Sequence, residues 1–390
     1  MLNVTSPWAL ILSLLTAIVS ISYYNNNPSA PEIRSPHCAS WNAWYNPLRS
    51  GQVGYQANDW NILYHLGGNG PWIEKIDELE TPGLEPPKGC VIDQVHMHFA
   101  SGFFGLDWEK TEKAALEIIP ETLERGADTL TPGDTCPKYI EDPAKGHDNG
   151  VNMLALFQDV YIPAIAERLI NDENNSALGY LTNLEVYGMQ EMCGFETLSR
   201  GSSPWCDIFT HDDWENFEYA RDLIHYYRAG PGNPYAGAMG WLWLNATTGL
   251  LRSGPEAGTI VHDGDIAPLV TAMDILKDPK YDPFLPTTHR VEDRVWRTSS
   301  VMPMGGRIVF ERLTCPTSSA KDPSGEEAFL RVNINDKIVP LPYCKSGPGL
   351  SCPLKEFVDH VERRRSEVGD FGEVCGLEKD VGYITFLRQG

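Results

Sequence analysis

Pro86-Pro87-Lys88-Gly89-Cys90-Val91-Ile92-Asp93-Gln94-Val95-His96-Met97-His98 is a turn followed by a strand, Val91 to His98, and the rest of the fold is read outward from it. Upstream, Pro28 to Gly89 is rich in Pro, Gly, Asn and Trp, the composition of loop and extended structure. Downstream, Trp108 to Ala115 reads as a helix and Leu116 to Ile119 as a short strand before Pro120. The middle is helical. Val151 to Asn171 carries Leu154, Phe157, Val160, Tyr161, Ile165 and Leu169 at spacings of three and four, one apolar stripe. Leu178 to Leu198 repeats the pattern, Asp212 to Arg228 follows the N-cap candidate Thr210, and Tyr235 to Leu251 is a further apolar helix. After Gly258 strands return. Thr259-Ile260-Val261 is β-branched, with a helix expected over Ile266 to Leu276. Arg307 to Leu313 and Phe329 to Leu341 alternate, the second broken by an Asn335-Asp336 turn, and Pro353 to Arg365 closes as a helix. Strands at both ends with helices between predict an α/β sheet core, residues 90–150 and 253–390, carrying an inserted helical subdomain at 151–252.

With 53 acidic side chains against 31 basic, the formal net charge is -22, a field that repels nucleic acid and anionic membranes. It repels phosphate esters too at neutral pH. Near pH ~4 much of that charge titrates away, so an acidic protein handling an anion fits an acidic medium. Trp8 to Ser22 is an uncharged apolar run, short for a membrane span, ending in Ser20-Ile21-Ser22 with small residues where a signal peptidase reads. Residues 1–22 are therefore expected to be a signal peptide, with a retained signal anchor over 8–22 as the alternative; 23–89 is an extended N-terminal region. None of the nine cysteines forms a CxxC pair, which points to disulfides in an exported chain rather than to zinc. Sequons stand at Asn174 and Asn245.

Three His-Asp dipeptides occur. His211-Asp212 sits where a helix start is wanted, and His147-Asp148 lies in a turn composition beside Gly146 and Asn149-Gly150. His262-Asp263 ends an apolar strand and precedes a helix, at a sheet edge where α/β proteins place ligands; an imidazole and a carboxyl there can bind an oxyanion and protonate a leaving oxygen. A strand-end turn capped by Asp263 is the bland alternative. His96 and His98, two apart on a strand, share a face and suit a metal, but the further His and Asp ligands of a metal-dependent hydrolase are missing from the pattern.

Tyr64-His65-Leu66-Gly67-Gly68-Asn69-Gly70-Pro71-Trp72 and Gly89 to Met97 resemble segments of the fungal histidine acid phosphatases, the secreted acid phosphatase and phytase group. So do Ser101 to Gly105, Gly126 to Pro132, Met192 to Thr197, Cys206 to Trp214, Ala229 to Asn233, Pro303 to Gly306 and Ser346 to Leu354, in family order. The resemblance implies a three-layer histidine-phosphatase-like core, secretion, and phosphomonoester hydrolysis through a phosphohistidine, with no cofactor. It makes His262 a phosphate contact and Asp263 the general acid. It pairs Cys90 with Cys315, Cys136 with Cys375, Cys193 with Cys206 and Cys344 with Cys352, leaving Cys38 over.

The family's first strand runs into Arg-His-Gly-x-Arg-x-Pro, whose His attacks phosphorus. Here Met97 is followed by His98-Phe99-Ala100-Ser101, and no Arg-His-Gly occurs in the chain. Both flanks stay recognisable, so the join reads as an excision, a skipped exon or misassigned intron being the leading explanation, with a smaller shortening between Gly258 and Val261. Phosphoryl transfer rests on positioning and on positive charge around the equatorial oxygens. The expectation is a phosphomonoesterase by lineage whose chain does not turn over. The alternatives are a pseudoenzyme that binds phosphate esters or a protein partner and, more remotely, a metal-dependent hydrolase built on His96 and His98.

Overall fold

The computed structural model describes residues 56–57, 60–70, 86–99, 120–175, 179–254, 265–316, 325–377 and 382–388; for 56–57, 60–61, 93–99 and 174 it describes the backbone alone. In chain order the main elements are β1 (Val91–Phe99), α1 (Asn149–Ile170), α2 (Asn183–Arg200), α3 (His211–Arg228), α4 (Ala236–Ser253), α5 (Ile266–Ala272), β2 (Arg307–Pro316), β3 (Glu326–Ile334), β4 (Lys337–Ile338), β5 (Cys352–Pro353) and α6 (Leu354–Val368).

Helix boundaries follow local chemistry. Asn183 rather than Leu178 opens α2, because Thr182 and Glu185 form a reciprocal capping box, and α2 ends where Gly201 turns left-handed at φ 81°. Thr210 and Asp213 cap α3 in the same way, which places His211 and Asp212 in its first turn. The α1 stripe buries Leu154, Phe157, Tyr161, Ile165 and Leu169, whereas Val160 lies at its edge, 49% exposed. Helix α5 stops at Ala272, short of the expected Leu276. Asp274 and Leu276 take positive φ, and Arg364 of α6 donates to the carbonyls of Thr271 and Ala272, a cap supplied from a distant part of the chain.

The sheet runs β1-β2-β3-β4, with β5 also beside β3, and every pairing is antiparallel. Asn335 and Asp336, both at positive φ, make the two-residue turn between β3 and β4 that the sequence signals. One sheet face, with Ile308, Phe310, Leu330, Val332 and Ile334, joins the helices in a single apolar cluster. Glu311 and Arg331 are paired across β2 and β3 and buried.

Four disulfides are formed: Cys90–Cys315, Cys136–Cys375, Cys193–Cys206 and Cys344–Cys352, the pairs implied by resemblance. The first ties the start of β1 to the end of β2. Cys38, the N-terminal apolar run, the helix expected over 108–115, and the strands expected over 116–119 and 259–261 lie outside the described residues.

Candidate functional site

His262 and Asp263 also lie outside the described residues, but the element that follows them does not. Asp265, 3% exposed, stands at the N-cap of α5. Helix α5 is held hard against α4: a Cβ on Gly240 would fall 1.9 Å from the carbonyl oxygen of Pro268, so only glycine permits the crossing. Asp265, the first described residue after 254, is thereby tied to a packed helix pair. His96 and His98 stand in β1 opposite Phe310 and Ile308 of β2, by backbone register. His147 bonds Asp148 at 3.0 Å in the turn before α1, and Asp212 pairs with Arg290 on the surface. Asn245 lies mid-helix in α4, half-buried between buried Leu244 and Ala246; Asn174 lies in the short turn Glu173–Asn175.

The charged residues that the structure brings together lie on α3, and the sequence reading did not single them out. Glu218 is a buried hub. It accepts from Ser299 Oγ at 2.7 Å, Arg297 Nη1 at 3.0 Å and Arg294 Nη2 at 3.3 Å, and bonds His65 Nδ1 at 3.3 Å. Burial pushes its carboxyl up, but the His65 bond and the charges of Arg294 and Arg297 outweigh this and hold it at about 2. One turn on, Asp222 accepts from Arg294 and from the Thr298 backbone, yet it is fully enclosed, and burial raises it to about 6.

Beside this hub runs a basic row, Arg221, His225 and Arg228, at helical spacings of four and three. Arg221 Nη1 donates to Glu191 at 3.0 Å and to Tyr187 at 3.1 Å, and its Nη2 lies 3.1 Å from His225 Nε2. With a guanidinium donating to that nitrogen the imidazole is neutral, and burial, then the charges of Arg221 and Arg228, hold it well below the usual histidine range. The Leu66–Gly70 segment is seated on this row. Gly67 takes φ +56°, and a Cβ there would lie 2.4 Å from Arg221 Cβ, while Asn69 Nδ2 donates to Glu191. The Nε atoms of Arg221 and Arg228 are buried without a hydrogen-bond partner among the described residues. Two guanidinium donors of this row are thus left over. The row's signal in the sequence is polar residues on the buried face of an amphipathic helix, visible once the partners at 65, 191 and 294–299 are known.

Among the described residues, the one group of potential metal ligands in reach of one another is Cys344, Cys352 and Glu356, and its two sulfurs are joined in a disulfide. No helix of the described residues is long and apolar enough to cross a membrane.

The sequence model of the histidine phosphatase superfamily (branch 2) matches residues 97–335. Among curated proteins, the phytase PHO112 of Candida albicans is 34% identical over 290 residues, covering 73% of this chain and 58% of the relative. The constitutive acid phosphatase of Saccharomyces cerevisiae is 31% identical over 284 residues, 70% of this chain and 55% of the relative. The chain thus spans a little over half the length of these relatives. The crystal structure of the phytase from D. castellii superposes with a TM-score of 0.66 at 20% identity, covering 85% of this chain and 90% of that one, a likeness of fold.

Proposed function

The chain belongs to the histidine phosphatase superfamily, branch 2, and from that premise we propose that it derives from an exported phosphomonoester hydrolase of the acid phosphatase and phytase kind. The observation that carries the reading is the basic row of α3, buried cations with unspent donors on a helix packed into the same core as α5. In this reading Asp263 is the general acid and His262 a phosphate contact. Arg221 and Arg228 add positive potential for an anionic ester, and the site uses no cofactor. An acidic medium suits the chemistry, because the net charge of -22 that opposes an incoming phosphate ester is largely titrated there. Export is consistent with the residue 8–22 run, with four disulfides, and with the sequon at Asn174 as a glycan site; the Asn245 sequon, half-buried in α4 beside fully buried Thr247, does not suit a glycan.

Turnover by this particular chain is a separate matter. It contains no Arg-His-Gly. Losing one preorganised donor at a phosphoryl or oxyanion site costs roughly 10²–10³ in rate, and here the nucleophile and its arginines are missing together. The reading therefore predicts no hydrolysis of p-nitrophenyl phosphate near pH 4 by the 390-residue chain, and hydrolysis by a form in which the segment after Met97 is restored. Metal-independent hydrolysis by the chain itself, abolished in His96→Ala or His98→Ala, overturns it. Sequencing the transcript across Met97 to Phe104 then tells an omitted exon from a pseudoenzyme.

A further inference from the structure

Leftover polar atoms converge where α1 begins. Asn149, the first residue of α1, is 5% exposed, yet its Oδ1 has no hydrogen-bond partner among the described residues. Gly150 follows and lies against the last turn of α3. A Cβ there would fall 2.2 Å from the Ile224 carbonyl oxygen and 2.8 Å from Arg228 Cβ. The N-terminus of α1 therefore abuts Arg228. That guanidinium has a buried, partnerless Nε, and no carboxylate of the described residues pairs with it. Burial lowers its proton affinity and the charge of Arg221 lowers it further, while Tyr139, Tyr187 and the carboxylate of Asp148 act the other way. The helix start is open as well: Asp148 occupies the N-cap without bonding the first-turn N–H groups, its carboxylate being turned to His147. Tyr139, buried alongside, faces Arg228, Asp134, Asp148 and Asp265.

A helix N-terminus presents N–H donors and a positive dipole end, and the half-buried Arg228 guanidinium, in no ion pair among the described residues although it feels the charge of Asp148, adds positive potential to it. These are two donors in want of an anion. The third leftover, Asn149 Oδ1, is an acceptor and asks for a donor in the same place. We infer that the junction of α1 and Arg228 is an oxyanion site that takes a protonated phosphate group in preference to sulfate. The phosphate oxygens accept from the first-turn N–H groups of α1 and from Arg228, while a P–OH donates to Asn149 Oδ1. Sulfate at the same pH has no proton to give. The site shares Arg228 with the hydrolase reading and deepens it, but it needs neither turnover nor the residues after Met97.

The test is calorimetric titration of the full chain at pH 5, with inorganic phosphate, glycerol 3-phosphate and sulfate run separately. Expected is binding of at least one of the two phosphates, with sulfate about tenfold weaker or more, the factor that one charge-assisted hydrogen bond supplies. Which phosphate binds tells a free anion from an ester. Arg228→Met should weaken phosphate by at least about tenfold, and Asn149→Ala should narrow the gap to sulfate. Phosphate binding undiminished in Arg228→Met, or no binding of either phosphate, overturns the site. Folding is controlled in phosphate-free buffer. There Arg228→Met should unfold at the wild-type temperature or above, because no described partner is lost; a clear drop reveals a protein partner for Arg228 and also overturns the inference.

Discussion

Asp222 and His360 are both buried titratable groups, and they tilt stability in opposite directions as the medium acidifies. Asp222 is raised by burial to about 6, so the folded chain takes up its proton before an unfolded chain, whose carboxyl titrates near ~4, does. Its contribution is present at low pH and lost as pH rises through about 6. Asp222→Asn should therefore flatten the stability profile between pH 4 and 7, seen as a smaller change in urea midpoint across that range; an unchanged slope counts against it. His360 is stacked on Tyr343 with ring centroids 3.4 Å apart, its Nε2 partnerless among the described residues. Burial lowers it to about 4. The unfolded chain protonates first as pH falls below ~6.5, so this group costs stability from there down to about 4. His360→Leu should raise the thermal midpoint at pH 4 relative to wild type, with a smaller difference at pH 7. Glu218 differs from both. Its bonds hold it ionised to about 2, so its contribution is lost only as pH falls from ~4.5 toward that value. Glu218→Gln strips a charge from buried Arg294 and should cost about 3 kcal/mol or more at neutral pH in denaturant unfolding.

At the scale of elements the critical contact is the crossing of α4 and α5. Gly240→Ala puts a methyl on the Pro268 carbonyl and must push the helices apart, which should cost about 1–3 kcal/mol, read from chemical unfolding. In a form with the segment after Met97 restored, the proposed reading has the same change slow hydrolysis, because α5 begins three residues after Asp263, the general acid of that reading. Which elements were legible follows from where their determinants lie. Helices α1, α3 and α4 were readable because their apolar stripes and caps are local in sequence. The end of α5 was not, because its last carbonyls are capped by Arg364, more than ninety residues away. The strand pair around Asn335-Asp336 was announced by turn residues, whereas the antiparallel register of β1 on β2 carries no local signature. For the site, the His262-Asp263 motif lies outside the described residues. The Glu218 hub and the basic row were hidden, because a polar residue on a buried helix face declares itself only through partners brought from residues 65, 191 and 294–299.

Charge acts on the molecule as a whole. A chain with net charge -22 at pH 7 and a calculated isoelectric point of about 4.8 carries strong self-repulsion at neutral pH and almost none near pH 5. Much of that charge is on the surface, where exposed pairs such as Lys280–Asp293 and Lys355–Asp359 contribute little each and are screened by salt. The disulfides hold the fold against the repulsion by cross-links that salt does not touch; Cys136–Cys375 alone joins residues 239 apart. Added salt should therefore raise the thermal midpoint at pH 7, where the Debye length shrinks from ~10 Å at 0.1 M to ~3 Å at 1 M and repulsion is screened. At pH 5 the same salt should move it little, since little net charge is left to screen. Sodium chloride suits the measurement, because it keeps phosphate, the anion of the proposed Arg228 site, out of the comparison. Equal salt responses at the two pH values would show that long-range repulsion is not what limits stability at neutral pH.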